Sequence, residues 1–365
     1  MIQMKKMIAG VAAALLAATL AFPCYGVSAG SAILQDAQTG RVLYEKAADK
    51  QSLIASTTKI MTALLICEQT NVLDRVRIPK EAVGIEGSSI YLREGEILTV
   101  QELLYGLMLH SGNDAAVALA IYCGGTVEGF ADQMNDKARR LGMLNTHFEN
   151  PNGLDSPGHY STAQDMAILA AYAMENPIFA KTVSTKNVKV GERYLQNHNK
   201  LLWMLDGADG VKTGFTRAAG RILVSSCTRQ GRRLICVTMN DRDDWNDHKS
   251  LLEKGFADFT VQKIISAGEC LGNLAVISGE AESVELLAKE DFSYALTPDE
   301  KPQVVLSQPG FVYAPVAQGQ PAGFAYVCLD NKTVGKIPLI YGNTIEKETI
   351  KEPSLWEKLW KGGRT

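Results

Sequence analysis

The sequence predicts an α+β domain, in which one sheet drawn from both ends of the domain packs against a cluster of helices, followed by a small all-strand domain. Three observations predict it. Hairpin-like strand pairs stand near residue 31 and again near residue 220, helical periodicity fills the region between them, and beyond about Gly268 only short strand-like runs and turn residues remain. The chain of 365 residues is 46% hydrophobic and 21% charged, the composition of a folded globule, which excludes the disordered and fibrous classes. Lys and Arg number 37 against 40 Asp and Glu, a net charge of -3, so no basic excess exists to hold nucleic acid.

Residues 1–29 read as a signal peptide: Lys5-Lys6, an apolar run from Met7 to Phe22, then small Val27-Ser28-Ala29, so that cleavage leaves Gly30 first. The run is too short and too early for a membrane span. A lipid-modified Cys24 is the competing reading, disfavoured by bulky Phe22 and rigid Pro23 just before it. Ser31-Ala32-Ile33-Leu34 and Gly40 to Tyr44 flank Asp36-Ala37-Gln38-Thr39 as two strands around a turn. From Thr57 to about Gln69, Ile60, Leu64 and Cys67 fall on one helical side with Met61 and Leu65 beside them, which predicts an interior helix. Val100 to Met108 and Asp114 to Tyr122 are two more helices, parted at Ser111-Gly112-Asn113. Glu149 to Asp155 read as consecutive turns, and Thr162 caps a helix running to Met174.

Gly220 to Ser226 and Arg233 to Thr238 form a second hairpin around Arg229-Gln230-Gly231-Arg232, and Lys249 to Ala267 is read as a closing helix. These elements define a catalytic domain at 30–267 and a β-rich domain at 268–350, the latter from runs such as Gln303-Val304-Val305-Leu306. In residues 351–365, Leu355 stacks over Leu359 and Trp356 over Trp360 with lysines opposite, a pattern that fits an interfacial membrane helix or docking on the protein itself. Six of the seven cysteines lie beyond the leader; Cys67, Cys123, Cys227 and Cys236 sit in or beside apolar stretches and read as buried free thiols.

Three short segments carry chemistry. In Ser56-Thr57-Thr58-Lys59, at the start of a helix, hydroxyl and amine lie one turn apart on one side. Serine needs a base, and Lys59 serves as one only if burial or a second cation keeps its amine neutral. Alone, the pattern is equally a capping serine and a solvated lysine. Ser111 and Asn113, at the break between two helices, offer a proton relay and an amide donor, or else a plain helix–helix turn. Lys212-Thr213-Gly214 at a strand edge suits a substrate carboxylate, the glycine letting backbone approach closely, or else a turn before an edge strand.

Their joint order and spacing resemble the signature shared by penicillin-binding proteins and serine β-lactamases. Ala55 to Leu64, Ser111-Gly112-Asn113-Asp114-Ala115-Ala116, Asn150 to Asp155, His159 to Thr162 and Asp209 to Thr216 are similar to the serine-type D-alanyl-D-alanine carboxypeptidases, the low-molecular-weight penicillin-binding proteins. The resemblance runs from about Ser31 to the tail. It implies a penicillin-binding/serine β-lactamase-like domain with a central antiparallel sheet, a small all-β domain behind it, and often an amphipathic anchor. It further implies export to the outer face of the bacterial cytoplasmic membrane or the cell wall space, and removal of the terminal D-alanine from peptidoglycan stem peptides ending in D-Ala-D-Ala. β-Lactams would be covalent inhibitors, with no metal and no cofactor required.

Carried over, the resemblance makes Ser56 the acylated nucleophile, Lys59 its base, Ser111 the relay to the leaving amine and Asn113 the residue orienting the peptide. Lys212 would lower the basicity of Lys59 and, with Thr213 and Gly214, receive the carboxylate. The backbone N–H groups of Ser56 and Phe215 would form the oxyanion hole. Some members use an arginine before the closing helix for the carboxylate, and Arg242 is the nearest candidate here. His147 and His159 are read as structural or surface residues, His198 and His248 have no partner in a zinc-peptidase pattern, which disfavours that class, and the runs Asp241 to Asp244 and Glu346-Lys347-Glu348 are read as solvated faces. The same acylation residues would also suit a β-lactamase, a transpeptidase or endopeptidase acting on cross-links, or an inactive wall-binding domain.

Overall fold

The computed structural model describes residues 26–349, which form two compact units parting between Gly255 and Phe256. Residues 1–25 of the expected signal peptide, with Cys24, and residues 350–365, which hold the expected amphipathic tail, lie outside the described residues.

In the first unit a five-stranded sheet runs in the order Val42–Lys46, Ser31–Asp36, Arg232–Met239, Gly220–Arg229, Ala208–Thr216. Every neighbouring pair is antiparallel. Both ends of the unit thus supply the sheet, as the two hairpin signals predict. Ser31–Asp36 is buried along its whole length, which is why its apolar letters run on rather than alternate. Ala208–Thr216, carrying Lys212-Thr213-Gly214, is an edge strand and leaves one side open toward a cleft.

The helix Lys59–Gln69 is the axis of the helical layer, with every residue from Lys59 to Cys67 buried. Val100–Met108, Asn113–Gly124 and Ala163–Ala173 pack around it. Local chemistry sets their starts: Thr99 and Glu102 form a reciprocal capping box, and the Thr162 hydroxyl accepts from the Asp165 N–H. Two longer helices escape the sequence reading, Val127–Arg140 and Pro177–Ser184, as does the short Leu201–Met204. The two longer ones carry legible signals: Thr126 caps the first above Phe130, Met134 and Ala138 at helical spacing, and Asn176 with Pro177 opens the second.

The expected closing helix from Lys249 to Ala267 is corrected. A helix spans Asp244–Asp258, and Thr260–Ile265 is a strand pairing with Phe292–Leu296 in the second unit. The β-branched Thr260, Val261, Ile264 and Ile265 favour extended backbone. The unit boundary therefore falls at Gly255/Phe256 rather than at Ala267/Gly268.

The second unit is all strand, as expected. Its six-stranded sheet runs Gln303–Ser307, Pro321–Leu329, Lys332–Tyr341, Ser283–Ala288, Cys270–Ile277, Phe311–Tyr313 around a core that includes Val284, Leu286, Ala325 and Leu339. Only the pairing of Cys270–Ile277 with Phe311–Tyr313 is parallel. All six described cysteines are free thiols; Cys67, Cys227 and Cys236 are buried and Cys123 is half-buried.

Candidate active site

Ser56 sits in a 3-10 turn, Ala55–Thr58, that runs directly into the helix Lys59–Gln69. The residue before it, Ala55, has φ 45, a left-handed backbone that non-glycine residues adopt at a cost. The turn is held from two sides. Gly214 of the edge strand lies so close that a Cβ there would stand 3.2 Å from both the Ile54 carbonyl oxygen and the Thr57 nitrogen, so the glycine admits the nucleophile turn itself. Gly153, at φ 85, presses on the other side, where a Cβ would fall 1.8 Å from the Ala55 carbonyl oxygen.

The turns from Asn150 to Asp155 are latched to the nucleophile helix. Thr62 Oγ1 donates to the Pro151 carbonyl at 2.6 Å. His159 Nδ1 accepts the Glu149 N–H at 3.0 Å, which leaves Nε2 to carry the proton toward Thr58 Oγ1 at 2.7 Å. Burial pushes the His159 imidazole down to about 4, so it stays neutral and serves as a brace.

Lys59 is fully buried, and its Nζ meets three oxygens: Ser56 Oγ at 2.9 Å, Asn113 Oδ1 at 2.7 Å and the Asn152 carbonyl at 2.6 Å. Desolvation and then the charge of Lys212 hold its amine well below the ordinary lysine range, and Asp114 opposes them weakly. A neutral amine has two N–H donors and one lone pair. Asn113 and Asn152 take the donors, and the lone pair then faces the Ser56 hydroxyl. Lys212 is also buried, its Nζ donating to the Thr213 carbonyl at 2.9 Å, and desolvation brings it down to about 7.

Ser111, at φ 64, lies at the break between the helices Val100–Met108 and Asn113–Gly124 and borders the cleft. Asn113 Nδ2 donates to the Glu86 carbonyl at 2.5 Å, leaving its second N–H for a substrate carbonyl. Asp114, absent from the set of expected site residues, accepts from the backbone N–H groups of Ile90 and Leu92 and from Ser89 Oγ, which ties the segment carrying cleft-lining Ser88 to the Ser111 corner.

The cleft encloses about 300 Å³ and brings together Ser56, Ser111, Thr213, Gly214 and Phe215, as the sequence predicts, with His198, Arg221 and Trp245 added. Arg242 is corrected: it is exposed and not among the residues bordering the cleft. The arginine in the cleft is Arg221, opposite Phe215 in the strand pairing and held by Asp244 in a two-pronged ion pair, Nη2 donating to Oδ1 at 2.6 Å and Nε to Oδ2 at 3.2 Å. The hairpin register sets Arg221 beside the Lys212-Thr213-Gly214 strand, a neighbourhood that linear spacing does not display. The expected solvated run is likewise corrected, because Asp241 and Asp244 are buried, the first accepting from Ser28 Oγ and the second from Arg221. Glu346, Lys347 and Glu348 are exposed, as read. His248 is buried between Ser225 and Thr238, and His147 is exposed with Nδ1 donating to the Gly158 carbonyl.

Comparison with known proteins fits this geometry. Residues 18–243 match the family described as D-alanyl-D-alanine carboxypeptidase, and residues 259–347 match the penicillin-binding protein 5 C-terminal domain. The chain is 32% identical to the D-alanyl-D-alanine carboxypeptidase DacF of Bacillus subtilis, covering 87% of this chain and 86% of the relative. It is 33% identical to DacC of Escherichia coli, over 92% and 87% respectively. Among solved structures, penicillin binding protein 5 from Haemophilus influenzae superposes with a TM-score of 0.78 at 31% identity, covering 88% of this chain and 98% of that one. A Streptomyces K15 DD-transpeptidase variant superposes with a TM-score of 0.61 at 36% identity, covering 63% of this chain and 98% of that one.

Proposed function

We propose how the residues act in a chain that belongs to the D-alanyl-D-alanine carboxypeptidase family. The protein is a serine-type D-alanyl-D-alanine carboxypeptidase of peptidoglycan stem peptides that works through an acyl-enzyme, and β-lactams bind covalently at the active-site serine. Lys59, neutral in its buried site, takes the proton of Ser56 Oγ as the oxygen attacks the carbonyl of the penultimate D-alanine. The developing oxyanion receives the backbone N–H groups of Ser56 and Phe215. Ser111 passes the proton on to the departing amine, Asn113 holds the peptide carbonyl, and water then hydrolyses the ester. The terminal carboxylate is received by Thr213 and by Arg221, with the charge of Lys212 behind them.

The observation that carries this reading is the Lys59 amine, buried, 2.9 Å from Ser56 Oγ and with both of its N–H groups already engaged. Intact-mass measurement after penicillin treatment, followed by peptide mapping, tests it. One adduct on Ser56 is expected, lost in Ser56→Ala, and an adduct on another residue refutes the assignment. No helix among the described residues is long and apolar enough to cross a membrane. Export by the leader and surface attachment through residues 351–365 complete the proposal, together with a catalytic and a β-rich domain as the two functional parts.

A further inference from the structure

Residues 85–96 belong to no helix or strand, yet two of their carbonyls fix the side chain that steers the catalytic amine. The Ser88 carbonyl accepts the Asn113 N–H at 2.7 Å, and the Glu86 carbonyl accepts Asn113 Nδ2 at 2.5 Å. Gly87 between them, at φ 90, brings the backbone so close that a Cβ there would stand 2.8 Å from Asn113 Nδ2. Asn113 Oδ1 in turn holds one N–H of Lys59 at 2.7 Å. Where residues 86–88 lie therefore decides how the Asn113 amide is turned.

Irregular backbone keeps one conformation only where its polar groups are claimed. Asp114 claims the N–H groups of Ile90 and Leu92. The carbonyls on the other side are claimed by a separate element, the hairpin Asn187–Val190/Arg193–Gln196, through its Arg193. Arg193 Nε donates to the Ile90 carbonyl at 2.6 Å and Nη2 to the Tyr91 carbonyl at 3.0 Å, while Nη1 and Nη2 meet the two Glu96 carboxylate oxygens at 2.7 and 2.8 Å. The guanidinium and the carboxylate are 21% and 22% exposed, and their hydrogen bonds hold the Glu96 carboxyl below the usual carboxylate range. Arg193 also feels the charge of Asp114, so the two clamps attract one another. One planar fork spans Ile90, Tyr91 and Glu96 at once, which the single ammonium of a lysine does not match. Arg193 is not among the residues bordering the cleft.

We propose, resting on the acylation reading above, that Arg193 is a positioning residue for acylation: from outside the cleft it fixes residues 86–92, and through their carbonyls the Asn113 amide and the direction of the Lys59 lone pair. Without Arg193 these residues keep only their Asp114 side, the Glu86 carbonyl shifts, and the Asn113 amide turns with it. One N–H of Lys59 then lacks its acceptor. Ser56 Oγ, 2.9 Å away, takes it, so the amine offers the serine a donor in place of its lone pair and proton removal stalls. Thr213, Arg221 and Lys212 are untouched, and recognition of the substrate carboxylate stays.

Stopped-flow penicillin acylation on the full chain separates the limiting acylation rate from the half-saturating concentration, with each rate referred to the protein that is folded and finally labelled. Arg193→Ala is expected to lower the limiting rate at least about tenfold while half-saturation moves less than about threefold. Arg193→Lys keeps a charge opposite Glu96 but not the fork; it is expected to remain folded and still to lose at least about threefold in limiting rate, and it carries the measurement if Arg193→Ala does not fold. Lys189→Ala, an exposed cation on the same hairpin, is expected to stay within about twofold. A smaller fall in a folded Arg193 variant overturns the proposal, because an ion pair that merely stabilises the fold lowers the denaturant midpoint and leaves the rate per folded molecule alone. A loss confined to half-saturation, or an equal fall in Lys189→Ala, overturns it as well. Absence of penicillin labelling in the wild type would instead overturn the acylation reading itself.

Discussion

Lys59 is asked to stay unprotonated in a site that offers it three oxygen atoms, and the resolution lies in burial and in Lys212. The pH profile should expose both lysines. In the proposed mechanism acylation needs neutral Lys59, so kcat/KM is expected to fall on the acid side as that amine gains its proton, and it needs charged Lys212 to draw in the carboxylate, so the alkaline limb is expected to begin near 7 in the free enzyme. Removing the cation in Lys212→Ala raises the basicity of Lys59, and its acid limb is expected to move to higher pH in stopped-flow penicillin acylation; an unmoved limb separates the two lysines. Arg221→Ala is expected to lower kcat/KM about tenfold, from losing one charge-assisted contact at a half-exposed site, while Arg242→Ala stays within twofold. Residue identity was legible wherever chemistry and local spacing coincide, as at Ser56 and Lys59. It failed at Arg221, because that side chain belongs to the cleft only through a strand pairing that linear spacing does not display.

Among the elements, the turn around Ser56 is the one most constrained by contacts. Ala55 holds a left-handed backbone, Gly214 approaches from the sheet edge, and Gly153 fills the space under the Ala55 carbonyl. A methyl group at residue 153 would overlap that carbonyl and also strain a positive φ, so Gly153→Ala is expected to cost about 3 kcal/mol of stability and to slow penicillin acylation at least tenfold. Denaturant midpoints and acylation rates on the same preparation check it, and an unchanged rate would mean that the turn tolerates displacement. From the sequence, Glu149 to Asp155 read as turns, but nothing in the letters places their carbonyls on Lys59 and Thr62, because those contacts span about ninety positions. The opposite failure occurs after Asp258: hydrophobic letters extend past the end of the helix, and only the β-branched run beginning at Thr260 marks the change to strand.

At the scale of the whole molecule, acid should weaken the fold through two histidines that take no part in acylation. His248, on the helix Asp244–Asp258, is fully buried against the central sheet, its Nδ1 beside Ser225 Oγ and its Nε2 beside Thr238 Oγ1, and burial brings it down to about 3 against a weak opposing pull from Asp241. His159 is brought down to about 4 where it braces the nucleophile turn. For both, the folded-state value lies below that of the unfolded chain, near 6.5. Above that pH neither state takes the proton and stability is full; as pH falls, the unfolded chain binds it first, and stability drains until the folded-state value is reached. Each histidine removes about 1.4 kcal/mol per pH unit inside that window, so the pair costs about 4 kcal/mol between pH 7 and pH 5, a large share of a typical 5–15 kcal/mol. Urea unfolding at the two pH values should show that loss, and His248→Gln, whatever its stability at pH 7, should lose about 2 kcal/mol less than the wild type over the same interval. Parallel profiles for the two proteins would mean that His248 is already protonated in the folded sheet, against the desolvation that surrounds it.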